Sequence, residues 1–113
     1  MKRTSLYFTA PHKVELREEE LASPERSEVQ VRTTVSLIST GTELMIYKGE
    51  APRELPADES LNGLSGSLAF PLKYGYSTIG VVTALGAYVD PGLDKRQVFA
   101  FNPHETVFNA NIC

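Results

Sequence analysis

Apolar side chains in this chain fall mostly at every second position, in short runs cut by Pro, Gly and Asn. The cleanest run is Val29-Gln30-Val31-Arg32-Thr33-Thr34-Val35, where β-branched residues alternate with polar ones as a half-buried strand requires. Leu6-Tyr7-Phe8 and Val14-Glu15-Leu16-Arg17 flank Pro11-His12-Lys13, which predicts a hairpin. Glu18-Glu19-Glu20 leads into Ser23-Pro24-Glu25-Arg26-Ser27, a polar loop. Residues 76–85 form an apolar, β-branched run ended by Gly86, Asp90-Pro91-Gly92 is a turn, and Gln97-Val98-Phe99-Ala100-Phe101 is a strand closed by Asn102-Pro103. Glu43-Leu44-Met45-Ile46-Tyr47-Lys48 predicts a short helix with Thr42 as N-cap and Gly49 as its stop. Residues 50–68, rich in Pro, Gly, Ser, Asn and charge, predict a long surface excursion. Many short strands and hardly any helix indicate a small barrel or sandwich.

The 113 residues, 42% hydrophobic and 22% charged, suit one soluble domain that buries roughly two-thirds of its unfolded surface. A net charge of −3 gives no electrostatic footprint for nucleic acid, whose phosphates require clustered Lys and Arg. Met1-Lys2-Arg3 is basic, but the following residues are too short and polar a run for a signal peptide, and nothing later approaches a membrane span. A cytoplasmic protein is expected. The single cysteine, Cys113, cannot form an internal disulfide and reads as an exposed thiol in a reducing compartment.

The order of segments resembles one known family. Val14-Glu15-Leu16-Arg17, Glu28-Val29-Gln30-Val31-Arg32, Gly41-Thr42-Glu43-Leu44 with Tyr47-Lys48-Gly49-Glu50, Phe70-Pro71-Leu72 with Gly75, Gly80-Val81-Val82, Gly86 and Val98-Phe99 together resemble the N-terminal half of the medium-chain dehydrogenases/reductases. The resemblance implies a mainly β fold: a GroES-like, partly open β-barrel with one or two short helices that carries the substrate pocket. In the family a Rossmann domain that binds NAD or NADP follows it.

The departures matter as much. Zinc-dependent members carry a Cys where this chain has Thr40, and a Gly-His-Glu where it reads Gly75-Tyr76-Ser77. Catalytic zinc needs three N, S or carboxylate donors, which Thr, Tyr and Ser do not supply, so no metal is expected. His12 and His104 have no second donor at ligand spacing and are expected in turns or at the surface. His104 adjoins Glu105, but neighbours on an extended chain point to opposite faces, so the two read as a loop and not a dyad.

A zinc-independent oxidoreductase acting on an activated carbonyl or alkene is the enzymatic reading. On the resemblance, Thr42 matches a proton-relaying hydroxyl, and the Tyr76 phenol replaces a zinc ligand and donates to a developing oxyanion. The alternatives are that Thr42 only caps a helix and that Tyr76 only fills the space left by zinc. Thr40, Tyr47 and Ser77 are the candidate substrate contacts. Glu43 either orients a neighbouring donor or begins a helix where the dipole favours a carboxylate, the latter being preferred. Tyr47, Phe70, Tyr74 and Tyr76 suit a small apolar or aromatic ligand, or else belong to the core.

No Gly-rich phosphate-cradling fingerprint occurs, so the chain alone is expected to bind no cofactor, and NAD(P)H would come with a Rossmann-domain partner. A sheet with open edges favours association, either with such a subunit or as a homodimer. The other reading is a stand-alone, non-catalytic barrel that binds a small apolar ligand or a protein partner.

Overall fold

A computed structural model describes residues 1–50 and 70–112; the excursion expected at 50–68, apart from Glu50, and Cys113 lie outside the described residues. Strands β1 (Lys2–Ala10) and β2 (Lys13–Glu20) form the expected hairpin, turning at Pro11 and at His12, which adopts a left-handed φ of 61°. β2 runs through Glu18-Glu19-Glu20 and does not stop at Arg17, because each of these residues finds a partner on β1. Its charged, exposed outer edge resists pairing with other chains.

A four-stranded antiparallel sheet has the order β5 (Gln97–Ala100), β4 (Thr78–Leu85), β3 (Glu28–Ser36), β6 (Val107–Asn111). The alternation pattern did not predict β6. Two Asn within five residues weaken its β signal, and its formation rests on docking along β3, with Val31 opposite Phe108. The fold is mainly β, and the barrel is not closed. Isolated bridges tie the hairpin to the segments that precede β6 and β4, Ser5 pairing with Glu105 and Phe8 with Leu72.

Two apolar clusters follow from this layout. Val29, Val31, Val82 and Phe108 bury one face of the four-stranded sheet, while Phe8, Ile46, Leu72 and Tyr74 join the hairpin to the helix. Tyr47, Phe70 and Tyr76 pack around the second cluster, so the aromatic set noted in the sequence is chiefly core.

The one α-helix among the described residues, α1 (Thr42–Lys48), corrects one expectation. Its N-cap is Gly41, Thr42 is its first helical residue, and no side chain caps it; the Ser39 hydroxyl instead accepts from the Gly41 N–H at 3.2 Å. Gly49 stops the helix as expected, in a left-handed conformation with φ 75°. Asp90-Pro91-Gly92 opens a 3₁₀ turn (Pro91–Leu93), with the Asp90 carboxylate accepting from the Gly92 N–H at 2.9 Å.

One irregularity sets up the site. Between Thr33 and Val35, β3 advances two residues while β4 advances one, from Gly80 to Ile79. In a regular strand Thr33 and Ser36 would point to opposite faces; the bulge changes the phase and lets both reach the segment before β6. The Thr33 hydroxyl donates to the Glu105 carbonyl at 2.6 Å, and Ser36 meets His104. Val35 is correspondingly left 56% exposed, against the inward position its alternation predicts.

Candidate functional site

The start of α1, the hairpin and the chain before α1 enclose an apolar cleft of about 360 Å³. Leu6, Phe8, Val14, Ile38 and Leu44 supply its walls; Thr40, Tyr47 and Glu43 also line it. Thr40 and Tyr47 therefore lie on one cleft. Thr42, Tyr76 and Ser77 are not among the lining residues. Tyr76 packs edge-on against Tyr74 with ring centroids 6.2 Å apart, and the Ser77 carbonyl accepts from the Leu37 N–H at 2.9 Å.

The polar feature of this region is one that sequence reasoning missed. Glu43 is buried with 1% of its surface exposed, and its carboxylate does more than begin a helix. One oxygen accepts from the Ser39 N–H at 2.6 Å, and the other is hydrogen-bonded to His104 Nε2. On the far side of the ring, His104 Nδ1 lies 2.6 Å from the Ser36 hydroxyl. His104 is thus no surface histidine: its side chain is only 10% exposed, whereas His12 does sit exposed at a turn. Gly75 makes room for the ring, since a Cβ there would stand 3.0 Å from Nε2. Ser36, Glu43, Gly75 and His104 lie on separate segments, and no spacing in the sequence announces their meeting. The expectation that His104 and Glu105 form no dyad agrees with the structure, for Glu105 turns the other way.

Glu105 belongs to an ionic cluster that ties the hairpin to the sheet. Its carboxylate receives Lys73 Nζ at 2.6 Å, Arg3 Nη2 at 3.1 Å, the Ser5 hydroxyl at 3.2 Å and Asn102 Nδ2 at 3.0 Å. Glu19 shares Arg3, Ser5 and Lys73, and also accepts from the Tyr7 hydroxyl. Burial alone would raise the pKa of Glu19; hydrogen bonds from Tyr7, Ser5 and Arg3, with the Lys73 charge, outweigh it and lower the value to about 2 from 4.5. The same hydrogen bond to Glu19, reinforced by burial, raises the Tyr7 phenol above 10.0.

This yields an acid-stability prediction. The folded pKa of Glu19 is depressed, so its contribution is complete above about 4.5 and disappears as pH falls toward 2. With 21% of the side chain exposed and solvent screening allowed for, the contribution is on the order of 1–2 kcal/mol. Urea unfolding at pH 6 should show Glu19→Gln less stable by that amount, with the gap closing by about pH 2. A gap independent of pH would refute the assignment.

Among the described residues no three His, Cys, Asp or Glu side chains come together as a metal site. Thr40, Tyr76 and Ser77, at the positions corresponding to zinc ligands in the resemblance, offer hydroxyls and do not fit that ion. No helix among the described residues is long and apolar enough to cross a membrane.

No family model and no curated protein sequence matches the chain. Solved structures do. Human synaptic vesicle membrane protein VAT-1 homolog-like protein aligns with a TM-score of 0.67 at 19% identity, over 98% of this chain and 33% of that one. A mutant form of enoyl thioester reductase from Candida tropicalis gives 0.67 at 17% identity, over 98% and 31%. The quinone oxidoreductase of Escherichia coli, solved in complex with NADPH, gives 0.59 at 17% identity, again over 98% and 31%. The chain spans about a third of the length of the structures it matches. It therefore has the fold that the medium-chain dehydrogenases/reductases, the family its sequence resembles, carry over that third of their length.

Proposed function

We propose that this chain is the substrate-side domain of a zinc-independent, NAD(P)H-dependent oxidoreductase that reduces an activated carbonyl or alkene together with a separate nucleotide-binding domain. The observation that carries the reading is the apolar cleft between the hairpin and α1, on a fold shared with a quinone oxidoreductase and an enoyl thioester reductase. The dinucleotide, bound by the partner domain, supplies the hydride. This chain binds and orients the substrate, excludes water and provides protons.

Leu6, Phe8 and Ile38 hold the apolar body of a small substrate, and Thr40 and Tyr47, which line the same cleft, are proposed substrate contacts. Thr42 and Tyr76 are the proposed proton donors. Both assignments rest on the resemblance, since neither residue lines the cleft. Ser77 is a proposed substrate contact on the same ground.

Reconstitution tests the proposal. Calorimetry on the chain alone should show no saturable NADPH binding. Adding or fusing the nucleotide-binding domain of a quinone oxidoreductase should produce NADPH-dependent reduction of a quinone or an enoyl thioester. A folded, nucleotide-binding hybrid without turnover would overturn it and favour the stand-alone binding barrel.

A further inference from the structure

Ser36, His104 and Glu43 stand in line, and hydrogen-bond chemistry fixes which way the line runs. A carboxylate only accepts, so Nε2 carries the ring proton toward Glu43. Nδ1 then presents a lone pair, to which the Ser36 hydroxyl donates at 2.6 Å. A carboxylate that orients an imidazole, whose other nitrogen can take the proton of a serine, is the arrangement that makes a hydroxyl nucleophilic. The acid needs no access to substrate for this. Glu43 is 1% exposed, and its second oxygen is held by the Ser39 N–H, so it is fixed in place to hold the ring in one tautomer. Glu105, the next acidic residue, is engaged by Arg3 and Lys73 and does not compete for the ring.

Ser36 and His104 both border a second opening, of about 430 Å³, whose apolar walls are Leu6, Leu16, Val35 and Ile38. The serine is thus presented to a surface suited to an apolar chain. Its backbone is placed to help. Ser36 stands opposite Thr78 of β4, between the Leu37 N–H, which donates to the Ser77 carbonyl, and Val35, which pairs with Ile79. Successive residues of an antiparallel strand turn their backbone groups to alternate sides, so the Ser36 N–H points away from β4 and is placed to donate to an oxyanion formed on the Ser36 adduct itself.

We propose that Ser36 is a nucleophile activated by His104 and Glu43, and that this site accepts acyl groups from activated esters or thioesters with an apolar acyl chain. The inference goes beyond the reductase reading and uses a different opening. Ser36 Oγ attacks the carbonyl carbon as its proton passes to Nδ1. The bond from that carbon to the leaving oxygen or sulfur then breaks, and the leaving group takes the proton from Nδ1. Water releases the acyl group by the same steps in reverse order: it attacks the carbonyl carbon and gives a proton to Nδ1, and Ser36 departs with that proton. One ester and one water become one acid and one alcohol or thiol, and His104 ends as it began.

The test uses the chain as it is, without cofactor or partner domain, so its outcome is separate from that of reconstitution. An alkyl fluorophosphonate, which loses fluoride to an attacking serine, should phosphonylate Ser36 in the native chain, as located by peptide mass spectrometry, and should leave Ser36 untouched in urea. His104→Gln, which keeps a hydrogen-bonding side chain but removes the base, should slow that labelling by at least about 100-fold. Hydrolysis of p-nitrophenyl butyrate should fall to the buffer rate in Ser36→Ala. The amide spectrum of each variant reports that the fold is retained. Unlabelled Ser36 in the native chain, unchanged labelling in folded His104→Gln, or the same ester hydrolysis with and without the Ser36 hydroxyl would overturn the proposal, and the first of these measurements needs no variant.

Discussion

Replacing Glu105 by Ala should destabilise the protein by about 3 kcal/mol, the low end of the range for removing one partner of a buried ionic network. The Glu105 side chain is 5% exposed and joins Arg3 of β1 to Lys73 of the segment before β4. Its removal leaves two largely covered cations with only Glu19 between them, and frees Asn102 Nδ2 of one of its two acceptors. Ser5 and Glu105 also form one of the isolated bridges that tie the hairpin to the rest of the fold, so the damage falls on that junction. Glu105→Gln keeps the shape and the Asn102 bond and should cost about half as much, since only the charge-assisted part is lost. Urea unfolding at neutral pH measures both. A loss below about 1 kcal/mol for Glu105→Ala would mean that water reaches the two cations and that the cluster contributes no more than a surface pair.

In the reconstituted hybrid, Tyr76→Phe should lower turnover by about 10-fold to 1000-fold, the effect of losing one donor to a developing oxyanion. The fold should survive, because the change removes only the phenol oxygen of a partly buried ring packed against Tyr74. The comparison with Tyr47→Phe gives the test its force. Tyr47 lines the cleft in the chain itself, whereas Tyr76 does not. If Tyr76 donates, its loss lowers kcat while Tyr47→Phe mainly raises KM, because a ground-state contact acts on binding. Full activity in Tyr76→Phe with a large loss in Tyr47→Phe would move the donor role to the helix and leave Tyr76 to packing.

Much of the fold was legible in the sequence because it rests on local rules. Alternation marks β3, the Pro11-His12 turn places the hairpin, and Gly49 stops α1, each within a span of a few residues. The mainly β class and the resemblance followed from the order of such pieces. Thr40 and Tyr47, named from the resemblance, lie on one cleft because they precede or belong to one short helix beside an apolar wall.

What only the tertiary structure decided depends on contacts distant in sequence. β6 carries a weak strand signal and forms through β3, about 80 residues earlier in the chain. The bulge near Thr34 is a property of two paired strands, invisible in either alone, yet it turns Ser36 toward His104. His104 and Glu43 are 61 positions apart, and the carboxylate next to His104 in sequence, Glu105, belongs to a different cluster. Glu43 looked like a favourable charge at a helix start because a helix dipole acts within one turn, whereas its real partner arrives from the other end of the chain. Periodicity and turn chemistry record what a segment does by itself; a buried carboxylate on an imidazole exists only once the segments have met.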